Sequence, residues 1–123
     1  MGTETRGDVL VVDDDPTIVG VLVQALEEEG YGVRAAVGEM AVRLARAERP
    51  GLVLLGLMRP GTGGVEVSRQ LRGDRRTAGV PIVALVGAEA GRAAAVVPVD
   101  AVVAAPFDLD TLYALVARWL RAA

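Results

Sequence analysis

The fold of this chain is decided by the stretch Val9–Pro16, which reads VLVVDDDP. An unbroken run of apolar, mostly β-branched residues is typical of a strand that is buried on both faces of a sheet. Asp15 followed by Pro16 is typical of a helix start, because aspartate accepts hydrogen bonds from free backbone amides and proline fits the first helical turn. The stretch therefore predicts a buried strand that leads directly into a helix.

The same alternation of strand and helix continues along the whole chain. The predicted strands are Asp8–Val12, Gly32–Val37, Leu52–Leu55, Pro81–Val86 and Ala101–Ala104. The predicted helices follow Asp15, cover Glu39–Glu48, Val65–Leu71 and Ala88–Val97, and follow Asp108. Apolar strands that alternate with helices indicate a parallel sheet covered on both faces. We therefore expect an α/β fold, a (βα)5 doubly wound parallel sheet, as one domain over residues 8–123 after a tail of residues 1–7.

Helical spacing also groups the apolar residues of individual helices. In the second helix, Met40, Leu44 and Ala47 recur on one side. In the last helix, apolar residues recur at the spacing of a buried stripe. The residues predicted to face inward there are Leu112, Leu115, Val116, Trp119 and Leu120.

Composition narrows the classes of function. The chain has 123 residues, 52% of them apolar, and its 13 basic and 16 acidic residues give a net charge of −3. All the basic residues are arginine, and the absence of lysine, histidine and cysteine excludes disulfides, thiolate sites and mechanisms that need an ammonium or an imidazole. The apolar runs are too short to cross a bilayer. We expect a cytoplasmic protein that is not an enzyme, does not enter a membrane and does not bind nucleic acid directly.

The acids that follow the first strand form the candidate site. In an open parallel sheet, sites form at the carboxyl ends of the strands, where Asp13 and Asp14 fall. Adjacent carboxylates repel one another unless a cation compensates them, and Mg²⁺ prefers oxygen ligands. From the residues alone, a magnesium site and a pair of solvated acids beside a capping Asp15 both remain open.

Four segments, in order and at fitting spacing, resemble the receiver domain of two-component response regulators over about residues 8–121. They are VLVVDDDP at 9–16, LVLLGLMRPGTGG at 52–64, VPIVALVGA at 80–88 and APFDLDTL at 105–112. The resemblance implies a flavodoxin-like sheet with strand order 2-1-3-4-5. It also implies a phosphorylation site, in which a histidine kinase modifies an aspartate after the third strand. Mg²⁺, a Thr or Ser after the fourth strand and a Lys after the fifth would assist that reaction.

Part of the implied magnesium site is present when the family pattern is carried over by position. The acidic pair falls on Asp13 and Asp14, and the backbone carbonyl ligand falls on Met58. One carboxylate ligand is missing, so we expect this metal site to be weak or unoccupied and expect no cofactor. Arg59 is a candidate to neutralise the acids by reaching over them. The alternative is an arginine that faces solvent.

The residues that would carry out phosphorylation are absent. The acceptor position falls on Gly56, the Thr/Ser position on Val86, the Lys position on Ala105 and the aromatic position of the fifth strand on Val102. Glycine offers no nucleophile, and valine and alanine offer no polar group to hold a phosphoryl oxygen. We therefore expect an atypical member, a pseudo-receiver without catalytic residues, that signals without aspartyl phosphorylation. The resemblance implies that the Ala105–Pro106 bond is cis, whereas from the sequence alone an X-Pro bond is cis in only about one case in twenty.

Three functions remain open on this interpretation. The first is signalling through a protein partner or a homodimer, or control of a C-terminal output domain that could bind DNA, through the face formed by the fourth helix, the fifth strand and the fifth helix. The region between Val86 and Ala105 is shorter than usual in the family, which indicates a rebuilt partner surface. The second is a sensor that binds a small molecule in the vacated pocket. The third is a magnesium-dependent phospho-switch with a substitute acceptor such as Thr62.

Overall fold

The structure is a computed structural model that describes residues 6–57, 63–87 and 98–122. The strands in these ranges are β1 Asp8–Val12, β2 Gly32–Ala36, β3 Leu52–Leu57, β4 Ile82–Val86 and β5 Ala101–Ala104. The helices are α1 Pro16–Glu28, α2 Gly38–Ala47, α3 Gly64–Gly73 and the C-terminal helix Leu109–Ala122. The predicted helix Ala88–Val97 lies outside the described residues.

The five strands form one parallel sheet in the order β2-β1-β3-β4-β5. β1 lies between β2 and β3, with Val12 opposite both Ala36 and Leu55. Leu55 in turn lies opposite Ala84 of β4, so the carboxyl ends of the central strands meet at one edge. The predicted α/β doubly wound sheet with strand order 2-1-3-4-5, a flavodoxin-like fold, is confirmed.

Helices cover both faces of the sheet. α1 and the C-terminal helix pack on one face, and α2 and α3 pack on the other. Each fully buried leucine stabilises the fold by about 1.5–3 kcal/mol, so these two layers hold most of the stabilising contacts. None of the helices in the described ranges is long and apolar enough to span a bilayer. The predicted inward residues of the C-terminal helix are confirmed as part of the core layer: Leu112, Leu115, Val116, Trp119 and Leu120.

Aspartates begin two of the helices, as their positions in the sequence predict. The Asp15 carboxylate accepts hydrogen bonds from the amides of Thr17 at 2.9 Å and Ile18 at 3.4 Å. The Asp108 carboxylate accepts from the amide of Thr111 at 2.8 Å, and this bond holds the pKa of Asp108 below its usual range. The last helix starts at Leu109, three residues after Pro106, and the Ala105–Pro106 bond is cis, as the resemblance implies. These caps fix where the chain leaves the carboxyl edge of the sheet.

One carboxylate joins the ends of α2 and α3. Oδ2 of Asp74 lies 2.6 Å from Nε of Arg46 and 3.1 Å from Nη2 of Arg76. Hydrogen bonds from the side chain and then from the backbone amide of Arg76 lower the pKa of Asp74 to about 2. Asp74 therefore stabilises the fold while it is ionised.

This ion pair predicts an acid-dependent loss of stability. Because the pKa of Asp74 is lower in the folded chain than its ordinary value of 3.8, its contribution is fully present above pH 4 and is lost as the pH falls towards about 2. The difference in free energy of unfolding between the wild type and Asp74→Asn should therefore shrink across that range in urea titrations. Glu27→Gln, a change at an exposed acid, should stay within about 0.5 kcal/mol of the wild type throughout. A constant difference between wild type and Asp74→Asn would contradict the assigned ion pair.

Candidate functional site

The candidate site lies at the carboxyl edge of the sheet, between the ends of β1 and β3. β3 is longer than the sequence predicted, because Gly56 and Leu57 still pair with Leu85 and Val86 of β4. Gly56 is therefore part of the strand and is not in the loop that follows it. A shallow depression opens at this edge, and its described lining residues are Val12, Asp13, Asp14, Val37, Gly38, Gly56 and Gly64.

The side chain of Asp13 occupies the space above Gly56. An ideally placed Cβ on Gly56 would lie 1.9 Å from Oδ2, 2.5 Å from Cγ and 2.9 Å from Cβ of Asp13. Rotation of the carboxylate could relieve the first two contacts, but the Cβ of Asp13 is fixed by the backbone. A residue other than glycine at this position therefore requires the ends of β1 and β3 to move apart.

A local hydrogen bond holds Asp13 in this place. The amide of Asp15 donates to Oδ1 of Asp13 at 2.8 Å, which is the bond of an Asx turn. The three consecutive aspartates therefore differ in their surroundings. Asp13 is partly buried over Gly56, Asp14 is exposed, and Asp15 caps α1.

These residues do not fit the three-ligand magnesium site that the family resemblance implies. Gly56 supplies no carboxylate, and one oxygen of Asp13 is already bonded to the amide of Asp15. No group of three acidic side chains in the described parts of the chain could hold a metal ion. The other predicted ligand, the Met58 carbonyl, and the predicted neutralising residue, Arg59, lie outside the described residues.

The neighbouring strand ends carry apolar side chains. Val86 ends β4, has no exposed surface and packs with Leu57 and Val99. The Ala105 amide donates to the carbonyl of Val86 at 2.8 Å, so the position after β5 lies beside the end of β4. Neither side chain has a polar atom, and neither can bind a phosphoryl oxygen. Val102, at the predicted aromatic position, is 43% exposed on β5.

The structure adds lining residues that the sequence interpretation missed. Val37 follows β2 and Gly38 begins α2 on one side of the depression, while Gly64 begins α3 on the other. A Cβ on Gly64 would lie 2.6 Å from Cδ2 of Leu57 and 3.2 Å from the carbonyl oxygen of Gly56, so glycine lets α3 start directly against β3. The consecutive glycines at 63 and 64 are the signal in the sequence that could have indicated this close approach.

Proteins with similar sequences include a DNA-binding response regulator and a DNA-binding transcriptional regulator. A stretch of 82 residues is 46% identical to the DNA-binding response regulator MtrA of Mycolicibacterium smegmatis and covers 65% of this chain and 34% of MtrA. The transcriptional regulator RpaA of Synechocystis is 34% identical over 124 residues, which cover 92% of this chain and 48% of RpaA. The chain thus spans about a third of MtrA and about half of RpaA.

Solved structures and a family model agree with these relatives. The signal receiver domain of a histidine kinase from Syntrophus aciditrophicus superposes with a TM-score of 0.84 at 26% identity, over 95% of this chain and 92% of that one. The receiver domain of sensor histidine kinase PA1611 from Pseudomonas aeruginosa, which holds a magnesium ion in its active site cleft, gives 0.83 at 27% identity, over 94% and 98%. The model of the response regulator receiver domain matches residues 9–117. The chain therefore belongs to the response regulator receiver domain family.

Proposed function

We propose that this receiver domain signals without aspartyl phosphorylation, through contacts with protein partners. The observation that carries the proposal is the position of Asp13, whose carboxylate fills the space that a side chain at position 56 would need. Gly56 has no side chain that could accept a phosphoryl group, and the Asp13 carboxylate occupies the space beside it. This packing favours a domain that no longer carries out phosphorylation over a domain that lacks only the acceptor residue.

The chemistry of phosphoryl transfer supports the same conclusion. The reaction depends on a placed nucleophile and on groups that stabilise the charge of the transferred phosphoryl. Gly56 provides no nucleophile, while Val86 and Ala105 provide no hydroxyl and no cation beside it. Lysine is absent from the chain, so another lysine cannot take over. With one oxygen of Asp13 bonded to the Asp15 amide, we propose that Mg²⁺ binds weakly at most.

We further propose that the partner surface includes β5 and the C-terminal helix, acting on a homodimer, a separate protein or an output domain. β5 is an edge strand of the sheet and carries Val102, a residue that is 43% exposed. The C-terminal helix begins with Leu109, which is 44% exposed. Exposed apolar side chains on adjoining elements are typical of protein contact surfaces. The name of MtrA identifies it as DNA-binding, and an attached output domain of that class is consistent with this mode of action.

The described part of the pocket does not favour the sensor hypothesis. Its open space would hold about one water molecule, because the Asp13 carboxylate lies over Gly56. A metabolite would have to displace Asp13 and break its bond to the Asp15 amide. Thr62, the substitute acceptor considered from the sequence, lies outside the described residues.

Acetyl phosphate tests the proposal directly. We expect the intact mass of the chain to be unchanged after incubation with acetyl phosphate and Mg²⁺, because neither the acceptor nor the groups that stabilise the reaction are present. A receiver domain that has the acceptor aspartate, treated in parallel, should gain one phosphoryl group. A magnesium-dependent gain of one phosphoryl group by this chain would overturn the proposal.

A further inference from the structure

Charge is distributed unevenly along the chain. Residues 38–80 hold eight arginines and four acids, a net charge of +4, while the remaining residues hold five arginines and twelve acids, a net charge of −7. The positive segment contains α2 and α3, which pack against one another on the same face of the sheet. The overall charge of −3 therefore conceals a basic region.

The arginines at the ends of α2 and α3 form one cluster at the amino edge of the sheet. Each of these helices returns the chain to the start of the next strand, so both end at that edge. Nε of Arg46 lies 2.6 Å from Oδ2 of Asp74, just after α3. Nη2 of Arg49 lies 3.1 Å from the position of a Cβ on Gly79. Arg75 lies between Asp74 and Arg76 in the chain, and we call the group of Arg46, Arg49, Arg75 and Arg76 the basic end.

Ion pairs within the domain do not neutralise the basic end. Asp74 is shared by Arg46 and by Arg76, whose Nε and Nη2 atoms donate to its two oxygens at 3.2 and 3.1 Å. Arg49 and Arg75 are exposed and form no ion pair in the described part of the chain. Arg46, in the last turn of α2, stabilises that helix because a cation there compensates the helix dipole. This effect does not account for the cations that lie beyond the helix ends. The basic end therefore carries positive charge that neither an ion pair in the described part of the domain nor a helix dipole compensates.

We propose that the basic end binds an acidic segment of a protein partner. Guanidinium groups pair with carboxylates in a forked geometry, which Arg76 already shows with Asp74. Nucleic acid fits this surface less well, since residues 38–80 include no aromatic side chain on which a base could stack. The inference is independent of phosphorylation and concerns the edge of the sheet opposite to the pocket.

Binding of a labelled polyglutamate peptide to the whole chain, followed by fluorescence anisotropy at low salt, tests this inference. We expect salt-dependent binding that is tighter than binding of single-stranded DNA of the same length. Arg49→Glu combined with Arg75→Glu should weaken polyglutamate binding at least tenfold, because both uncompensated cations are reversed. The control combines Arg69→Glu with Arg118→Glu, which makes the same change of charge at exposed positions outside the basic end. It should weaken binding less than about threefold.

Other outcomes would overturn the inference. If the wild-type chain does not bind polyglutamate at low salt, it does not have the proposed binding surface. An equal loss in the two double variants, with folding of both verified by circular dichroism, would assign the binding to overall charge. Tighter binding of single-stranded DNA that the Arg49 and Arg75 changes abolish would make the basic end a nucleic-acid surface, and the proposed partner would be wrong.

Discussion

Gly56→Ala is expected to lower the free energy of unfolding by about 1–3 kcal/mol, the usual cost of overpacking a close contact. The added Cβ would lie 2.9 Å from the Cβ of Asp13, so the ends of β1 and β3 must separate. Gly56 does not have a positive φ, and elsewhere such a replacement stabilises a chain by about 0.4–1 kcal/mol. A net loss of stability therefore measures the steric contact itself. Urea unfolding with an unchanged m-value would give the difference.

Gly20→Ala is the matched control for this prediction. Gly20 lies in the exposed middle of α1, and a Cβ built on it has no atom within 4 Å. Alanine favours a helix over glycine, so this variant should be about 0.5–1 kcal/mol more stable than the wild type. If Gly56→Ala were stabilised by a similar amount, Asp13 would not be packed against Gly56.

Restoring the family aspartate is expected to cost more than adding a methyl group. Gly56→Asp introduces the same contact and also places a second carboxylate beside that of Asp13, and like charges repel. The intact mass of this variant should still be unchanged by acetyl phosphate and Mg²⁺, since Val86 and Ala105 remain. Efficient phosphorylation of Gly56→Asp would show that the Asp13 carboxylate readily leaves the space beside position 56, and that only the acceptor is missing.

The sequence predicts the strands of the sheet well because a buried parallel strand leaves a clear apolar pattern, whereas the strand order was implied by the resemblance to receiver domains. The predicted bounds of β1 and β5 match the structure, and Asp15 and Asp108 cap their helices. β3 was predicted to end at Leu55, the last residue of the apolar run LVLL. Pairing with β4 extends the strand through Leu57, and no local pattern within β3 reports a pairing with a distant segment.

The buried side of α2 is a feature that the sequence did not predict. Helical spacing grouped Met40, Leu44 and Ala47 on one side of α2, yet the residues that α2 buries are Ala41, Val42 and Ala45, and Met40 is 52% exposed. Two small alanines one turn apart allow the helix to lie close to the sheet, and spacing alone does not reveal which side will do so.

The sequence predicted which positions form the candidate site, but it did not predict how their side chains are arranged. Family resemblance aligned Asp13 and Gly56 with neighbouring strand ends, and the structure places them in contact. The direction of the Asp13 side chain depends on the amide of Asp15, two residues away, and on the space that glycine leaves. The sequence shows Asp15 and Gly56, but it does not show that together they direct the Asp13 side chain towards Gly56.

Arg72 joins the end of α3 to the starts of β4 and β5. Its side chain is only 24% exposed and forms an ion pair with the carboxylate of Asp100. Oδ2 of Asp100 also accepts from the amide of Ile82 at 2.7 Å, so the pair fixes the first residue of β4. The remaining acceptors of the Arg72 guanidinium are the carbonyls of Pro98 at 3.2 Å, Ala78 at 3.0 Å and Val80 at 2.7 Å.

Replacement of Arg72 by methionine should therefore lower the free energy of unfolding by about 2–4 kcal/mol. Methionine retains most of the apolar stem, but it removes the donor of three carbonyls and the ion-pair partner of Asp100. Hydrogen bonds to a charged group contribute about 1.5–3 kcal/mol each before screening by solvent. Arg69→Met, at an exposed arginine one turn earlier in α3, should change stability by less than about 0.5 kcal/mol. Hydrogen exchange should show faster exchange of the Ile82 amide in the Arg72 variant alone, because its acceptor Asp100 is no longer held. Equal stability of the two variants would mean that hydrogen bonds from water replace those from the guanidinium without loss of stability. The buried side chains of Val67 and Leu71 would then be what holds α3 to the sheet.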